Sequence, residues 1–341
     1  MLTILLFCVM LASCGGKKTG KSVFTPTSSG RAYEVLVVVT QGLWERPAGR
    51  ALFDVLDSDV PGLPQSERSF RLMYTAPNSF DATLKIIRNI IIVDVDGKKY
   101  TRPSFKYSKD VYAAPQMILT IQAPDEATFA EFVTENRQTI IDFFTHAEMN
   151  RQIVNLESKH SDFISNTVKE MIDSEVWVPG ELASYKKGKD FFWAGSNTAT
   201  NDQNFVIYSF PYRDKNTFTK DYFIQKRDSV MKINIPGARE GMYMMTDSLM
   251  TDVRPITVQG EYCLEVRGLW RVKGDLMGGP FISHVRLDKK NQRIIVSEIF
   301  VYSPDKMKRN LVRNLEASLY TLKFPDTVQK ENTIPANVDK D

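Results

Sequence analysis

The sequence predicts an α+β fold in two halves. Each half is a mostly antiparallel or mixed sheet with helices packed on it, and a long helical segment joins them. Three observations carry this. Short β-branched and aromatic runs alternate with helical periodicities on both sides of the chain's middle. The middle itself holds about fifty residues with apolar side chains at helical spacing, until Pro179-Gly180 ends the pattern. The order of elements in the first half recurs in the second, which suggests a duplication.

The chain opens on an apolar run, Leu2 to Ala12, interrupted only by Thr3 and stopping at Ser13-Cys14. About 11 helical residues rise roughly 16 Å, far short of a hydrocarbon core of about 30 Å, so the run reads as the h-region of a signal peptide. Leu11-Ala12-Ser13-Cys14 resembles the bacterial lipobox, which implies cleavage before Cys14 and lipidation of its thiol. Several buried acyl chains at about 0.8 kcal/mol per CH₂ exceed what stable anchoring needs. Gly15 to Gly30 combines Gly, Ser, Thr and Lys without an acidic residue, the composition of a flexible tether. By resemblance to known sorting rules, Gly15 in place of aspartate argues for the outer membrane, and the lack of an acidic cluster for a domain facing the periplasm.

In the first half, Tyr33 to Thr40 is a β-branched run suited to a buried strand. A helix is predicted from Pro47 to Asp57, with proline in its first turn and Ala51, Leu52, Val55 and Leu56 on one face. Strands follow at 70–75, 89–94 and 116–122, with a short helix near 80–85, and Asp125 opens the next helix. The central pattern has one stripe through Phe129, Phe132, Val133, Ile140, Phe143, Phe144 and Ala147 and another through Ile153, Leu156, His160, Phe163, Ile164, Val168, Met171 and Ile172. Continuous, it would run about 75 Å, so a break is expected near Glu148 to Arg151, where the stripe changes phase.

In the second half, strands are predicted at 205–210, 242–246, 261–270 and 294–302, a helix at 218–231, and a last helix opening at Asp305. The duplication rests most on one junction. Ile121-Gln122-Ala123-Pro124-Asp125 and Val301-Tyr302-Ser303-Pro304-Asp305 both run strand, small residue, proline, aspartate. The boundaries that follow are 1–13 signal peptide, 14–32 tether, 33–150 first half, 151–180 helical connector, 181–325 second half and 326–341 polar tail.

The whole mature chain resembles an uncharacterised family of Bacteroidales lipoproteins known only as a domain of unknown function. The residues that carry the resemblance are the lipobox, Ser29 to Val38, Gly268-Leu269-Trp270 and Gly278-Gly279-Pro280-Phe281. It implies an envelope location and supplies no activity.

Composition agrees with a globular protein and excludes little else. With 44 basic and 41 acidic side chains the net charge is +3, and no basic stripe marks a nucleic-acid footprint. Cys8 leaves with the signal and Cys14 takes lipid, so Cys263 is the one remaining thiol and no disulfide can form within the chain. No nucleophile elbow, phosphate loop or dinucleotide fingerprint is present. His146, His160 and His284 lie at spacings that build no metal site, and each reads as a surface or core histidine. Cys263 reads as an inert strand residue, with a nucleophile served by His284 as the less favoured reading. No catalytic residue, metal or cofactor is assigned.

The remaining signal is aromatic. Trp270, Arg271, Met277 and Phe281 lie in a glycine-rich stretch between two strands, and Trp44 just past a strand end, as candidates for binding an envelope protein, peptide or glycan. A non-catalytic envelope lipoprotein is therefore the favoured expectation; a periplasmic hydrolase using scattered Asp and Glu residues is the alternative. The anchor is directly testable. Cys14→Ala should abolish fatty-acid labelling and leave an uncleaved precursor, and normal processing of that variant would sink the lipoprotein reading.

Overall fold

The structure, a computed structural model, describes residues 25–325; the signal, Cys14 and the 326–341 tail lie outside them. In the first half, strands β1 (Glu34–Val38), β2 (Arg71–Thr75), β3 (Asn89–Val95), β4 (Ser104–Lys109) and β5 (Met117–Ala123) form a mixed sheet of order β2-β1-β3-β5-β4. All neighbours are parallel except β4, which runs antiparallel to β5 on one edge. Parallel strands need both faces covered, and β1 is buried at every position. One face receives α1 (Gln41–Trp44), α2 (Pro47–Leu56), α4 (Glu126–Glu135) and the first half of α5 (Arg137–Lys159). The other carries Leu36, Val38, Ile90 and Ile118 beneath the short α3 (Ala82–Lys85).

The second half is a seven-stranded antiparallel sheet. In order across it run β6 (Ser184–Gly188), β7 (Phe191–Gly195), β8 (Asp202–Pro211), β12 (Arg293–Tyr302), β11 (Gly278–Asp288), β10 (Glu261–Val272) and β9 (Met244–Val258). Helix α7 (Lys220–Asn234) covers one face; α6 (Asp162–Ile172) and α8 (Arg309–Leu319) cover the other. Val176 and Val178 join α6 in that second core.

The α+β class with a sheet in each half is as expected, but the duplication is not. β5 sits between a parallel and an antiparallel neighbour, whereas β12 sits between two antiparallel ones. The matching junctions also differ. Asp125 caps α4 by accepting the Thr128 N–H at 2.8 Å. Asp305 instead adopts a left-handed backbone (φ 56°), and α8 starts at Arg309. Its free N–H groups are taken by Glu67 from the other half, which accepts from Lys308 N at 2.7 Å and Arg309 N at 2.8 Å. A carboxylate at a helix N-terminus favours the dipole from whichever part of the chain supplies it.

The expected break near Glu148 to Arg151 is absent as well. Helix breaks fall at Asn136 and at His160–Ser161, and α5 runs straight through the change of phase. The stripe shifts because the helix changes partner. Ile140, Phe143 and Phe144 face the first sheet, and one turn later Met149, Ile153 and Leu156 meet Cys263 of β10 and Ala317 and Tyr320 of α8. At the crossover Glu148 is buried and accepts from Asn89 Nδ2 at 2.7 Å and Arg151 Nη1 at 2.8 Å, with Arg88 at 3.5 Å. Glu148→Ala would leave Arg151 desolvated without its counter-charge. A loss of about 3–5 kcal/mol in chemical denaturation is expected, as for other broken buried pairs.

Candidate functional site

The glycine-rich stretch after Trp270 is mostly strand. β10 continues to Val272 and β11 begins at Gly278, with Trp270 opposite Gly279 and Arg271 opposite Gly278. The turn between them is held by Asp275, whose Oδ1 accepts the N–H groups of Leu276 at 2.6 Å and Met277 at 3.1 Å. Two glycines serve close packing. A Cβ on Gly279 would stand 2.0 Å from the Val301 carbonyl oxygen, and one on Gly268 would stand 2.6 Å from Thr251 Oγ1. The second approach lets β9 bulge. Between Asp252 and Asp247, the partners of Arg267 and Leu269, four residues loop out and carry Leu249 into solvent.

Trp270, Arg271 and Met277 line one hollow of about 650 Å³ at this end of the sheet, together with Tyr302 and Lys308. Pro64 and Gln65, from the segment between α2 and β2, close its far side. Trp270 is only 3% exposed; its ring meets Phe300 edge-on at 5.6 Å, and its Nε1 has no hydrogen-bond partner. The apolar surface here is supplied by loop tips instead. Leu276 and Leu249 stand almost wholly in solvent, and Met250, Met277 and Met307 are exposed. Two expected contact residues lie elsewhere. Phe281 is fully buried between Phe223 and the Arg227 guanidinium, 4.2 Å above its ring. Trp44 stacks on Tyr74 at 5.4 Å against the first core. Both went to packing because large aromatics next to strands fill cores before they face solvent.

A second hollow, of about 240 Å³, lies in the seam between the halves. Behind it, Glu265 of β10 accepts from Arg254 Nε at 2.5 Å and from Arg267 Nε and Nη2 at 2.8 and 3.0 Å, and Arg267 also pairs with Glu316 of α8. Burial alone would raise the Glu265 carboxyl, but Arg267, with His284 and Arg254, overcomes it and holds the group well below the usual carboxylate range. A carboxylate so held cannot act as a general acid, so Glu265 offers the hydrolase alternative no proton donor. Cys263 is fully buried, and burial pushes its thiol up, away from the thiolate a nucleophile needs. The inert reading of that cysteine is the one its surroundings support. His284 is buried under the Tyr320 ring at 4.8 Å, with Nε2 3.8 Å from Glu265 Oε2, so it is a core histidine set against the Glu265 network. His160 shares a hydrogen bond with the Leu156 carbonyl at 2.9 Å and stacks on Trp177. Among the described residues no cluster of His, Cys, Asp and Glu suits a metal ion, and no helix is long and apolar enough to cross a membrane.

The seam was invisible in the sequence because its walls come from four distant segments. One signal was there to find: Cys263, Glu265 and Arg267 alternate along a long strand, which places charge on a face that α8 covers.

Comparison with known families divides the chain at the α5–α6 junction. Residues 28–157 match the model of a family described as Domain of unknown function (DUF8532), and residues 161–321 match that of Domain of unknown function (DUF4837). Both families are uncharacterised. Where the sequence suggested one such family, two are matched, each over less than half of the chain. No curated protein matches.

The hairpin's two kinds of residue should separate in a stability test. Trp270→Ala should lower stability by about 3–5 kcal/mol, as truncation of a core aromatic does. Leu276→Ser, at the exposed tip, should change it by less than about 0.5 kcal/mol. Parallel urea unfolding curves measure both.

Proposed function

We propose that this chain is a lipid-anchored protein of the cell envelope, held at the outer membrane and facing the periplasm, that binds an apolar segment of a partner polypeptide without catalysing a reaction on it. The observation that carries the binding role is the hollow at the end of the β10–β11 hairpin, where Leu276 and Met277 stand exposed on the wall, with exposed Leu249, Met250 and Met307 close in sequence to its lining residues Asp247 and Lys308. Exposed apolar side chains gathered at a hollow mark interaction sites, and unbranched methionines adapt to varied partners. Arg271 beside Asp247 and Asp275 gives the rim both signs of charge, suited to the amides and ends of a peptide. A glycan is the poorer occupant, because sugars stack on open aromatic faces and Trp270 is buried. The compartment rests on the Leu11-Ala12-Ser13-Cys14 motif.

A photo-crosslinking residue at position 276 in intact cells tests the site. A discrete adduct is expected there and not from position 185, where Tyr185 is exposed on the far side of the sheet. Leu249→Ser together with Met277→Ser should reduce the adduct several-fold while leaving the thermal midpoint unchanged. An adduct equally strong from position 185, or one indifferent to both substitutions, would remove the hollow from the function.

A further inference from the structure

The 240 Å³ hollow in the seam has its own chemistry. Its wall includes Arg137 and Thr145 of α5, Ser69 before β2, Arg254 of β9, Arg267 of β10 and Arg313 of α8. Two of the four arginines are spoken for: Arg254 and Arg267 share Glu265, and Arg267 also holds Glu316. Arg313 is different. It is 3% exposed, yet no carboxylate among the described residues lies at ion-pair distance from it. Its one hydrogen bond goes from Nη1 to the Ser69 carbonyl at 2.7 Å, and its guanidinium lies 3.9 Å over the Tyr33 ring. A guanidinium has five N–H donors, and a desolvated cation without a counter-charge is costly. Thr145 supplies a second unmet group, a buried hydroxyl with no partner on the same wall.

We infer that the seam hollow is a binding site for a small oxyanion, a carboxylate- or phosphate-bearing metabolite, received by Arg313 with Arg137 and Thr145. A planar fork of donors suits either oxyanion in bidentate fashion, and the hydroxyl can donate to a third oxygen. Three acids also line the hollow, but Asp59 accepts from Ser66 Oγ at 2.8 Å, Asp142 accepts from Gln138 Nε2 at 2.9 Å, and Glu316 is paired with Arg267 and acts on Arg313 only through space. They keep the wall from collecting anions at large, so the ligand's charge must meet Arg313 directly. A hollow this size admits a molecule of a few heavy atoms, smaller than the ligands of ordinary pockets of about 300–1,000 Å³. Because both halves supply its walls, occupancy ties them together.

The inference is independent of the apolar hollow, and the full-length chain in detergent tests it. Thermal unfolding would be followed against inorganic phosphate and, separately, succinate, each compared with chloride at equal ionic strength. A saturable rise in Tm with at least one of them is expected, since a ligand that binds only the native state stabilises it by mass action; which arm responds tells phosphate from carboxylate. Arg313→Lys keeps the charge and loses the fork, and should weaken the apparent affinity at least about tenfold. Should that buried substitution unfold the chain, Arg137→Ala combined with Thr145→Val provides the second reading, with the same loss expected. No saturable rise with either anion, or a rise that persists unchanged in the variants, overturns the site.

Discussion

Helix α5 is the constraint on which the two halves depend. Its first turns finish the core of the mixed sheet, and its last turns start another with β10 and α8. A single unbroken helix with two buried faces cannot satisfy both unless the sheets stand in one relation to each other. The polar knot at Glu148, Asn89, Arg151 and Arg88 fixes where the change of face occurs. Arg151 also donates to the Arg88 carbonyl at 2.9 Å, which ties the helix to the start of β3 as well as to its own preceding turn. Buried ion pairs contribute little net stability against an apolar alternative, but they discriminate strongly between arrangements. Here the arrangement selected is the seam.

The second sheet repeats that logic on both faces. Under α7, Glu298 receives Arg227 through Nε and Nη2 and Ser283 through its hydroxyl, all fully buried. Under α8, Glu265 receives Arg254 and Arg267. The two carboxylates sit on neighbouring ladders, Glu265 opposite His284 and Glu298 opposite Ser283. Adjacent residues of one strand point to opposite faces, so His284 and Ser283 send the two networks to opposite sides. A slip of one residue in β12 would turn Glu298 away from α7 and its Arg227, at the cost of leaving a buried charge without its present partner. The networks therefore pin register in a sheet whose apolar pattern, buried on both faces, would otherwise specify it weakly.

What the sequence disclosed follows from how local each signal is. The runs at 34–38, 89–95, 117–123 and 293–302 are dense in Ile, Val and Leu, and all four are strands. Ser104–Lys109 and Ser184–Gly188 were missed because edge strands carry polar residues, which read as loop. β9 was read short because its bulge interrupts the alternation that marks a strand. Asp305 misled for a related reason: the aspartate-after-proline pattern is a local cue, and the cap of α8 is a distant one, from Glu67. Both hollows are of this distant kind. Trp270, Arg271 and Met277 were legible as neighbours, but Gln65, which reaches the Lys306 carbonyl across 241 residues of chain, was not. Nor could composition show that Arg313 lacks a carboxylate, since that depends on where every acid of both halves ends up.

The segment between α2 and β2 has a larger part in this than its lack of regular structure suggests. Asp59 and Arg68 close it with an isolated bridge, Leu63 packs into the second core, and Glu67 caps α8. Residues 58–61 wall the oxyanion hollow, while Pro64 and Gln65 wall the apolar one. A Cβ on Gly62 would lie 3.1 Å from that of Arg267, and its φ of 79° is one that residues with side chains rarely adopt. The close approach is therefore built into the backbone at the point where the segment crosses the arginine. Since the segment's ends belong to the first half and its middle to the second, any change in the spacing of the two halves must pass through it. The two hollows differ in lining, the larger one bordered by the exposed Leu276 and Met277, the smaller one by four arginines. They share this one strip of backbone as a wall, so neither can be reshaped without a strain on the contacts that hold the other.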